Sequence, residues 1–250
     1  MRDNDSKIEG RKPNYGVYDP YLILILSILT ILLISILLII DNLIVRITSL
    51  LFLFVSFFFL FPTIFGSTNF AKMRLREKII NVAQPKENDV ILDVGTGRGL
   101  HAIGFAKFLK KCKVIGVDIW SQTSVLGNRI ENALENARIE GVSDKVEFKN
   151  ADARKLPFPD EYFDVVICSF VLHNIRKEWR KALKEMIRVL KTNGKLVINE
   201  ISYGPFSKKN MTEALEELSA SDSHFHSWGF GANIISAVKT HVYRQRDDKI

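Results

Sequence analysis

The sequence contains only two cysteines, Cys112 and Cys168, among its 250 residues. They stand alone, without the paired spacing of a disulfide framework or a zinc site, and such sparing use of cysteine is typical of the cytoplasm. The sequence also lacks internal repeats and any compact basic run interleaved with aromatic residues. Although the chain carries a formal net charge of +7, we therefore expect no nucleic-acid partner.

Charge is also missing from residues 21–40, and a second apolar run at residues 43–65 carries only Arg46. Each run is long enough to cross the ~30 Å hydrocarbon core of a bilayer as a helix. A signal peptide fits poorly, because the first run is long, lacks a small-residue cleavage site and is followed directly by the second. The sequence therefore predicts two transmembrane helices, with buried helices or a re-entrant pair as alternatives.

Basic residues flank these runs on both sides, at positions Arg2, Lys7, Arg11, Lys12, Lys72, Arg74, Arg76 and Lys78. Because a Lys/Arg excess marks the cytoplasmic side, we expect a multi-pass protein of the cell membrane with both termini in the cytoplasm. The bilayer is then a partner of the basic domain that follows. The predicted organisation is an N-terminal tail at residues 1–20, a transmembrane helical hairpin at 21–66 and a cytoplasmic domain at 67–250.

In the third domain, apolar runs alternate with segments of helical period. Strands are predicted at residues 90–94, 113–118, 146–150, 163–169, 195–201 and 233–242. Helices are predicted at residues 69–83, 100–110, 124–140, 177–190 and 211–220. Continuous apolar strands between helices indicate an α/β fold with a doubly wound, mostly parallel sheet covered on both faces. Residues 221–231 give no clear pattern.

Three glycines, Gly95, Gly97 and Gly99, follow the first strand, and a helical run begins directly after them. A strand that turns into a helix in this way points the free N–H groups of the helix at a ligand above the strand end. Glycine allows the tight turn and lets the ligand touch the backbone. The pattern predicts a nucleotide-type site, but dinucleotide-binding domains share it.

Three carboxylates at or near the ends of the first three strands favour a different ligand. Asp93 precedes the glycine turn, where a carboxylate suits an ammonium group better than a pyrophosphate. Asp118 ends the second strand and could accept from both ribose hydroxyls, and Asp152 after the third strand could accept from the adenine amine. Any one of them alone is more often a cap or turn residue. Together they suit a cationic adenosine that carries an amino acid.

In the order and spacing of its motifs, the chain resembles the class I S-adenosylmethionine-dependent methyltransferases over residues 70–242. The motifs are LDVGTGRG (92–99), VIGVD (114–118), NADARKLPF (150–158), YFDVVICS (162–169) and RVLKTNGKL (188–196). The quinone-biosynthesis and arsenite-methyltransferase-like branch is the most similar. Arsenite methyltransferases rely on three or four cysteines, so two isolated ones speak against that activity, and the hairpin departs from the soluble members.

The resemblance implies a seven-stranded Rossmann-like sheet and S-adenosylmethionine as the cofactor. It also implies a role for each residue of the cofactor site. Asp93 would hold the methionine ammonium, Asp118 the ribose, and Ser169 would lie beneath the sulfonium. The other implied contacts are the methionine part with Gly95, Thr96, Gly97 and Gly99, one face of adenine with Ile119 and nearby Trp120, and the adenine edge with Asp152 and Ala153.

The implied chemistry is an in-line displacement at a methyl group, for which alignment and exclusion of water supply most of the catalysis. If the acceptor must lose a proton, His173 is the predicted base because its ordinary pKa is near neutral; a polar cleft-lining or capping role fits it equally well. Further candidates at strand ends are Asn174, Asn199, Glu200 and Tyr203. His224, His226 and Trp228 could line the acceptor site, and no metal site is predicted.

The acceptor is expected to be a small molecule or a lipid-borne one, such as a prenylated quinone precursor. Anchoring shortens a search only when the partner is also bound to the membrane, which favours the lipid. The alternative is a membrane-tethered scaffold or sensor that binds S-adenosylmethionine without transferring its methyl group.

Overall fold

The computed structural model describes residues 10–16, 20–121, 127–229 and 231–240. These residues contain a seven-stranded sheet, which carries the candidate site on one edge. The strands are β1 Val90–Val94, β2 Lys113–Asp118, β3 Val146–Asn150, β4 Phe163–Ser169, β5 Leu190–Ile201, β6 Ala220–Gly229 and β7 Ala232–Lys239. Their order across the sheet is β3-β2-β1-β4-β5-β7-β6.

Strands β1 to β5 pair in parallel, and β7 and β6 join the sheet antiparallel. The predicted doubly wound, mostly parallel α/β sheet is therefore confirmed. Strand β7 spans Ala232–Lys239 rather than the predicted 233–242, of which residues 241 and 242 lie outside the described residues. Two further details differ from the prediction. Strand β5 begins at Leu190 rather than at 195, and the unassigned stretch at 221–231 contains most of strand β6.

Eight α-helices lie in the described part of the chain. They are α1 Pro20–Ile39, α2 Leu43–Ser67, α3 Asn69–Ala83, α4 Leu100–Phe108, α5 Ile130–Ile139, α6 Leu172–Ile175, α7 Trp179–Val189 and α8 Lys208–Glu217. The predicted helix 69–83 is confirmed to the residue. The helix predicted at 124–140 begins later, at Ile130, and residues 124–126 of that prediction lie outside the described residues.

The helices cover both faces of the sheet because side chains of a strand alternate between its faces. In β1, Leu92 belongs to a core built with α7 and α8, whereas its neighbour Ile91 belongs to a core built with α3, α4 and α5. Both side chains are fully buried. The carboxyl ends of the parallel strands are left free to form a site along one edge.

The prediction of a transmembrane hairpin at residues 21–66 is wrong. Helices α1 and α2 do form there, and the Asn42 side chain caps α2 by accepting from the amides of Ile44 and Val45. That prediction assumed that each run forms a helix both long and apolar enough to cross a bilayer. Across the described residues no helix meets that requirement. The predictions of two transmembrane helices and of a multi-pass location at the cell membrane are therefore wrong as well. The predicted domain boundaries remain a prediction.

Helix α3 runs antiparallel to β5, and this direction locates the end of α2 that joins it. Near the end of α3, the carbonyl of Val82 accepts from Lys195 Nζ at 3.4 Å. Lys195 of β5 is paired with Val165, near the start of β4. One turn earlier, Lys78 Nζ donates to the carbonyl of Ser227 at 2.7 Å, and the register places Ser227 level with Glu200 near the end of β5. The start of α3, and the end of α2 that joins it at Thr68, therefore lie toward the carboxyl edge of the parallel strands.

Candidate active site

The turn between β1 and α4 has a backbone that only glycine adopts readily. Gly95, Gly97 and Gly99 have φ values of 70°, 53° and 83°, in the left-handed region where other residues are strained. A Cβ on Gly95 would lie 2.2 Å from Cγ2 of Val171. At Gly97, by contrast, the nearest atom to such a Cβ is 4.0 Å away. The turn is thus closed on one side and open at Gly97, as a cradle for a ligand must be.

Asp93 lies buried directly below this turn. Its Oδ2 accepts hydrogen bonds from Thr96 Oγ1 at 2.7 Å and from the amide of Ala102 at 3.0 Å. Burial raises the pKa of Asp93 to about 6, although these two hydrogen bonds oppose the rise. A cation beside the carboxylate would favour its ionised form. The position therefore fits the ammonium group of an amino acid.

Asp118 connects the end of β2 to the glycine turn. Its Oδ2 accepts from the amide of Gly97 at 2.9 Å, and its Oδ1 accepts from the amide of Trp120 at 2.7 Å and from Asn128 Nδ2 at 3.2 Å. The following side chain, Ile119, is 59% exposed. An exposed apolar side chain next to a fixed carboxylate fits an adenine ring beside its ribose. Trp120 packs against the core of α3, α4 and α5.

The third carboxylate, Asp152, already has a partner. Its oxygens accept from Arg154 Nε at 3.0 Å and from Arg154 Nη2 at 2.6 Å, and this guanidinium lowers the pKa of Asp152. The amide of Ala151 donates to the carbonyl of Asp118 at 3.1 Å, so the two strand ends are adjacent. Ala153 is buried in the core. Its backbone, rather than its side chain, is the part that could meet an adenine edge.

Ser169 and Asn199 face each other across the ends of β4 and β5. The Oγ of Ser169 accepts from Asn199 Nδ2 at 3.0 Å. Asn199 is fully buried, and its Oδ1 has no hydrogen-bond partner among the described residues. An unsatisfied buried acceptor is costly. Here it marks a polar position at the same edge as the glycine turn.

His173 and Glu200, separate candidates in the sequence, form a pair. Nδ1 of His173 lies 2.7 Å from Oε1 of Glu200, and the amide of His173 donates to Oε2 at 3.3 Å. The Glu200 side chain is fully buried, whereas that of His173 is 33% exposed. A buried carboxylate at Nδ1 fixes the orientation of the ring and makes Nε2 the proton acceptor. The arrangement can therefore remove a proton from a molecule at this edge.

Comparison with known proteins agrees with this geometry. Residues 92–198 match a family model described as "Methyltransferase domain". The demethylmenaquinone methyltransferase of Bacteroides fragilis is 37% identical over 127 residues, which are 51% of this chain and 49% of that protein. The ubiquinone/menaquinone biosynthesis C-methyltransferase UbiE of Vibrio vulnificus is 36% identical over 122 residues, 47% of this chain and 44% of that protein. The chain thus spans about half the length of these curated relatives.

A solved structure extends the match. The S-adenosylmethionine-dependent methyltransferase from Aquifex aeolicus superposes with a TM-score of 0.55 at 25% identity, over 66% of this chain and 89% of that one. The matched part of this chain is thus similar to methyltransferase domains. S-adenosylmethionine is the cofactor, and the open cradle at Gly97, the buried Asp93 and the exposed Ile119 beside Asp118 all fit it.

Of the remaining candidates, two histidines are separated from the glycine turn by several strands. His224 and His226 are on β6, which β5 and β7 separate from β4. Nε2 of His224 lies 3.1 Å from Oδ1 of Asp222, in a groove of about 500 Å³ that Lys78 and Lys195 also line. Within the described ranges, no three metal-ligating side chains gather into a possible ion site.

Two features of the methyltransferase site were missed from the sequence. The His173–Glu200 contact spans 27 residues of sequence, and only the parallel pairing of β4 with β5 brings the two together. Arg154 as the partner of Asp152 was also missed, although it stands two residues away. A basic residue that close to a carboxylate was the available signal.

Proposed function

We propose that this chain transfers the methyl group of S-adenosylmethionine to a hydrophobic, lipid-borne acceptor that loses a proton during the reaction. A prenylated quinone precursor is the model acceptor. The observation that carries the proposal is the His173–Glu200 pair, at 2.7 Å, placed where β4 and β5 end. The pair lies outside the contacts assigned to the cofactor, and it would provide a base for an acceptor at this edge.

The cofactor site is built to hold its ligand in a fixed position. Asp93 would hold the ammonium group, Asp118 the ribose hydroxyls, and the backbone around Gly97 the methionine part. When bound, S-adenosylmethionine supplies a methyl group on a sulfonium, which already reacts readily. The chain then needs mainly to orient the acceptor in line with that methyl group and to keep water away.

The role of His173 follows from its two nitrogens. Nδ1 faces the buried carboxylate of Glu200, so Nε2 would take the proton from an acidic hydroxyl or carbon of the acceptor. The Glu200 carboxylate then stabilises the imidazolium that forms, as the aspartate does in a serine protease triad. The acceptor is left with a lone pair for the methyl group. Proton removal by a positioned base contributes roughly 10²–10⁴ to a rate.

Two observations favour a hydrophobic acceptor. The first two helices expose many large apolar side chains, and α2 leads into the start of α3 at the carboxyl edge of the sheet. Among them, Phe57 and Phe61 stack with ring centroids 5.5 Å apart. Large exposed apolar surfaces mark sites of interaction. The names of the two curated relatives point to quinones, which are hydrophobic.

The test uses the full-length chain, methyl-labelled S-adenosylmethionine and a total lipid extract. We expect label in the lipid fraction, and far less with His173→Asn, although that variant still binds the cofactor. Label that appears only in water-soluble products would contradict a lipid acceptor. Cofactor binding without any labelled product would contradict methyl transfer. It would support the alternative of a scaffold or sensor that binds S-adenosylmethionine without transferring its methyl group.

A further inference from the structure

Residues 10–16, the N-terminal strap, are joined by hydrogen bonds to the glycine turn, which we also call the cofactor turn. The buried side chain of Asn136 makes this connection. The amide of Asn14 donates to Asn136 Oδ1 at 2.9 Å, and Asn136 Nδ2 donates back to the carbonyl of Asn14 at 3.0 Å. The same Nδ2 donates to the carbonyl of Arg98 at 2.9 Å. Arg98 lies between Gly97 and Gly99, so Asn136 joins the strap to the middle of the cofactor turn.

The Arg98 side chain makes a second connection, to the loop that follows β2. Its Nη1 donates to the carbonyl of Asn14 at 3.2 Å, and its Nε donates to the carbonyl of Gly127 at 3.1 Å. A Cβ on Gly127 would lie 2.2 Å from Arg98 Nη2, so the guanidinium packs closely on that loop. The next residue, Asn128, donates to Asp118. One side chain thus links the strap, the glycine turn and the loop next to the ribose-binding carboxylate.

The strap is also anchored away from the cofactor turn. The Tyr15 side chain is buried, and its hydroxyl donates to Glu140 Oε1 at 3.0 Å. Lys72 of α3, itself buried, donates from Nζ to the carbonyls of Tyr15 and Gly16. These contacts hold the strap on α3 and on the end of α5. It can therefore act as a fixed support for the turn.

We propose that Arg98 and Asn136 are positioning residues for S-adenosylmethionine. They hold the glycine turn and the loop after β2 against the strap, so the cofactor meets a site that is already in its binding shape. A site ordered in advance gains affinity because less conformational freedom is lost on binding. The inference rests on the cofactor assignment and assigns cofactor affinity to a segment more than eighty residues before the turn.

The test measures cofactor affinity by calorimetry on the full-length chain and two variants. Asn136→Asp keeps the acceptor for Asn14 but replaces the donor that serves both carbonyls with a second acceptor. Arg98→Lys keeps the charge but loses the fork that reaches two carbonyls. We expect each change to raise the cofactor Kd about tenfold. The KM for the cofactor should rise likewise, while kcat at saturating cofactor stays unchanged.

Two further measurements separate positioning from general destabilisation. Glu131→Gln, an exposed change on the same helix, should leave the cofactor Kd unchanged. Because coupling is reciprocal, cofactor should slow hydrogen exchange in residues 10–16 of the wild type, and slow it much less in Asn136→Asp. Wild-type affinity in both variants, or exchange in the strap that ignores the cofactor, would overturn the inference. A wild-type chain that binds no S-adenosylmethionine would instead overturn the cofactor assignment.

Discussion

The amide of Gly97 donates a hydrogen bond to Asp118 Oδ2 at 2.9 Å, across 21 residues of sequence. The residue that must leave its face open for the methionine part therefore also holds the carboxylate assigned to the ribose. The conformation of the turn and the orientation of the Asp118 carboxylate are therefore coupled through this hydrogen bond. Changes in the turn should consequently affect the ribose contact, even where they do not touch the ligand.

The glycines of the turn should differ in their sensitivity to alanine. Gly97→Ala meets open space, so its cost in the free energy of unfolding is mainly the left-handed backbone, about 1–2 kcal/mol. Gly95→Ala pays the same backbone cost and also forces its Cβ against Val171, at 2.2 Å. Urea unfolding should show the larger loss for Gly95→Ala. Adding Val171→Ala should recover part of that loss, and no recovery would contradict the packing described here.

The buried Asp93 makes cofactor affinity depend on pH. Its pKa in the empty site is raised to about 6, and the ammonium group requires the ionised form. Calorimetry between about pH 5 and pH 8 should therefore show affinity rising with pH through about 6 and levelling off above it. Asp93→Asn should bind more weakly and lose this dependence. An equally steep dependence in the variant would place its origin elsewhere.

The same raised pKa also affects stability. Between about pH 4 and pH 6 the folded chain keeps a proton on Asp93 that the unfolded chain has lost, so this group lowers stability as pH rises. His101 acts in the opposite direction, because burial lowers its pKa to about 3, and the stability it contributes is lost as pH falls below about 6.5. The difference in urea unfolding between wild type and Asp93→Asn isolates the first effect. It should grow across that window and stay constant above it.

His173 should affect turnover but not cofactor binding. His173→Asn removes the proton acceptor, and we expect kcat on the proposed acceptor to fall by roughly 10²–10⁴, with the cofactor Kd unchanged. Lys177→Ala, a change at an exposed residue four positions further along the chain, serves as the control. A variant His173→Asn with wild-type kcat would show that the acceptor needs no base from this residue.

The sequence was most informative where a strand is buried on both faces. The bounds of β1 to β4 were predicted correctly. Strands β1, β2 and β4 are largely apolar, whereas β3 alternates apolar with charged residues and ends in Asn150. Strand β6 was missed because it lies at the sheet edge and carries Ser221, Asp222, His224 and His226, which do not form an apolar run. The early start of β5 was missed because Lys191 and Asn193 are typical of a loop.

The places of the candidate site residues in the fold were predictable, but their contacts were not. Motif position alone places Asp93 and Asp118 near strand ends, where the structure has them. The contacts of Asn136 with the carbonyls of Asn14 and Arg98 were not predictable, because a backbone carbonyl leaves no trace in the sequence. The hairpin prediction failed for another reason. It took the length of an uncharged run as sufficient for a membrane span. A span requires a helix that is both long and apolar enough, and none occurs among the described residues.

The central claim is that the carboxylates at neighbouring strand ends bind S-adenosylmethionine, and calorimetry of Asp118→Ala tests it most directly. We expect wild type and the exposed control Asp144→Ala to bind one equivalent with the same affinity. Asp118→Ala should bind more weakly by roughly 1–3 kcal/mol, a factor of about 5 to 150 in Kd. An unchanged affinity in Asp118→Ala, or displacement of the cofactor by a nicotinamide dinucleotide, would contradict the account.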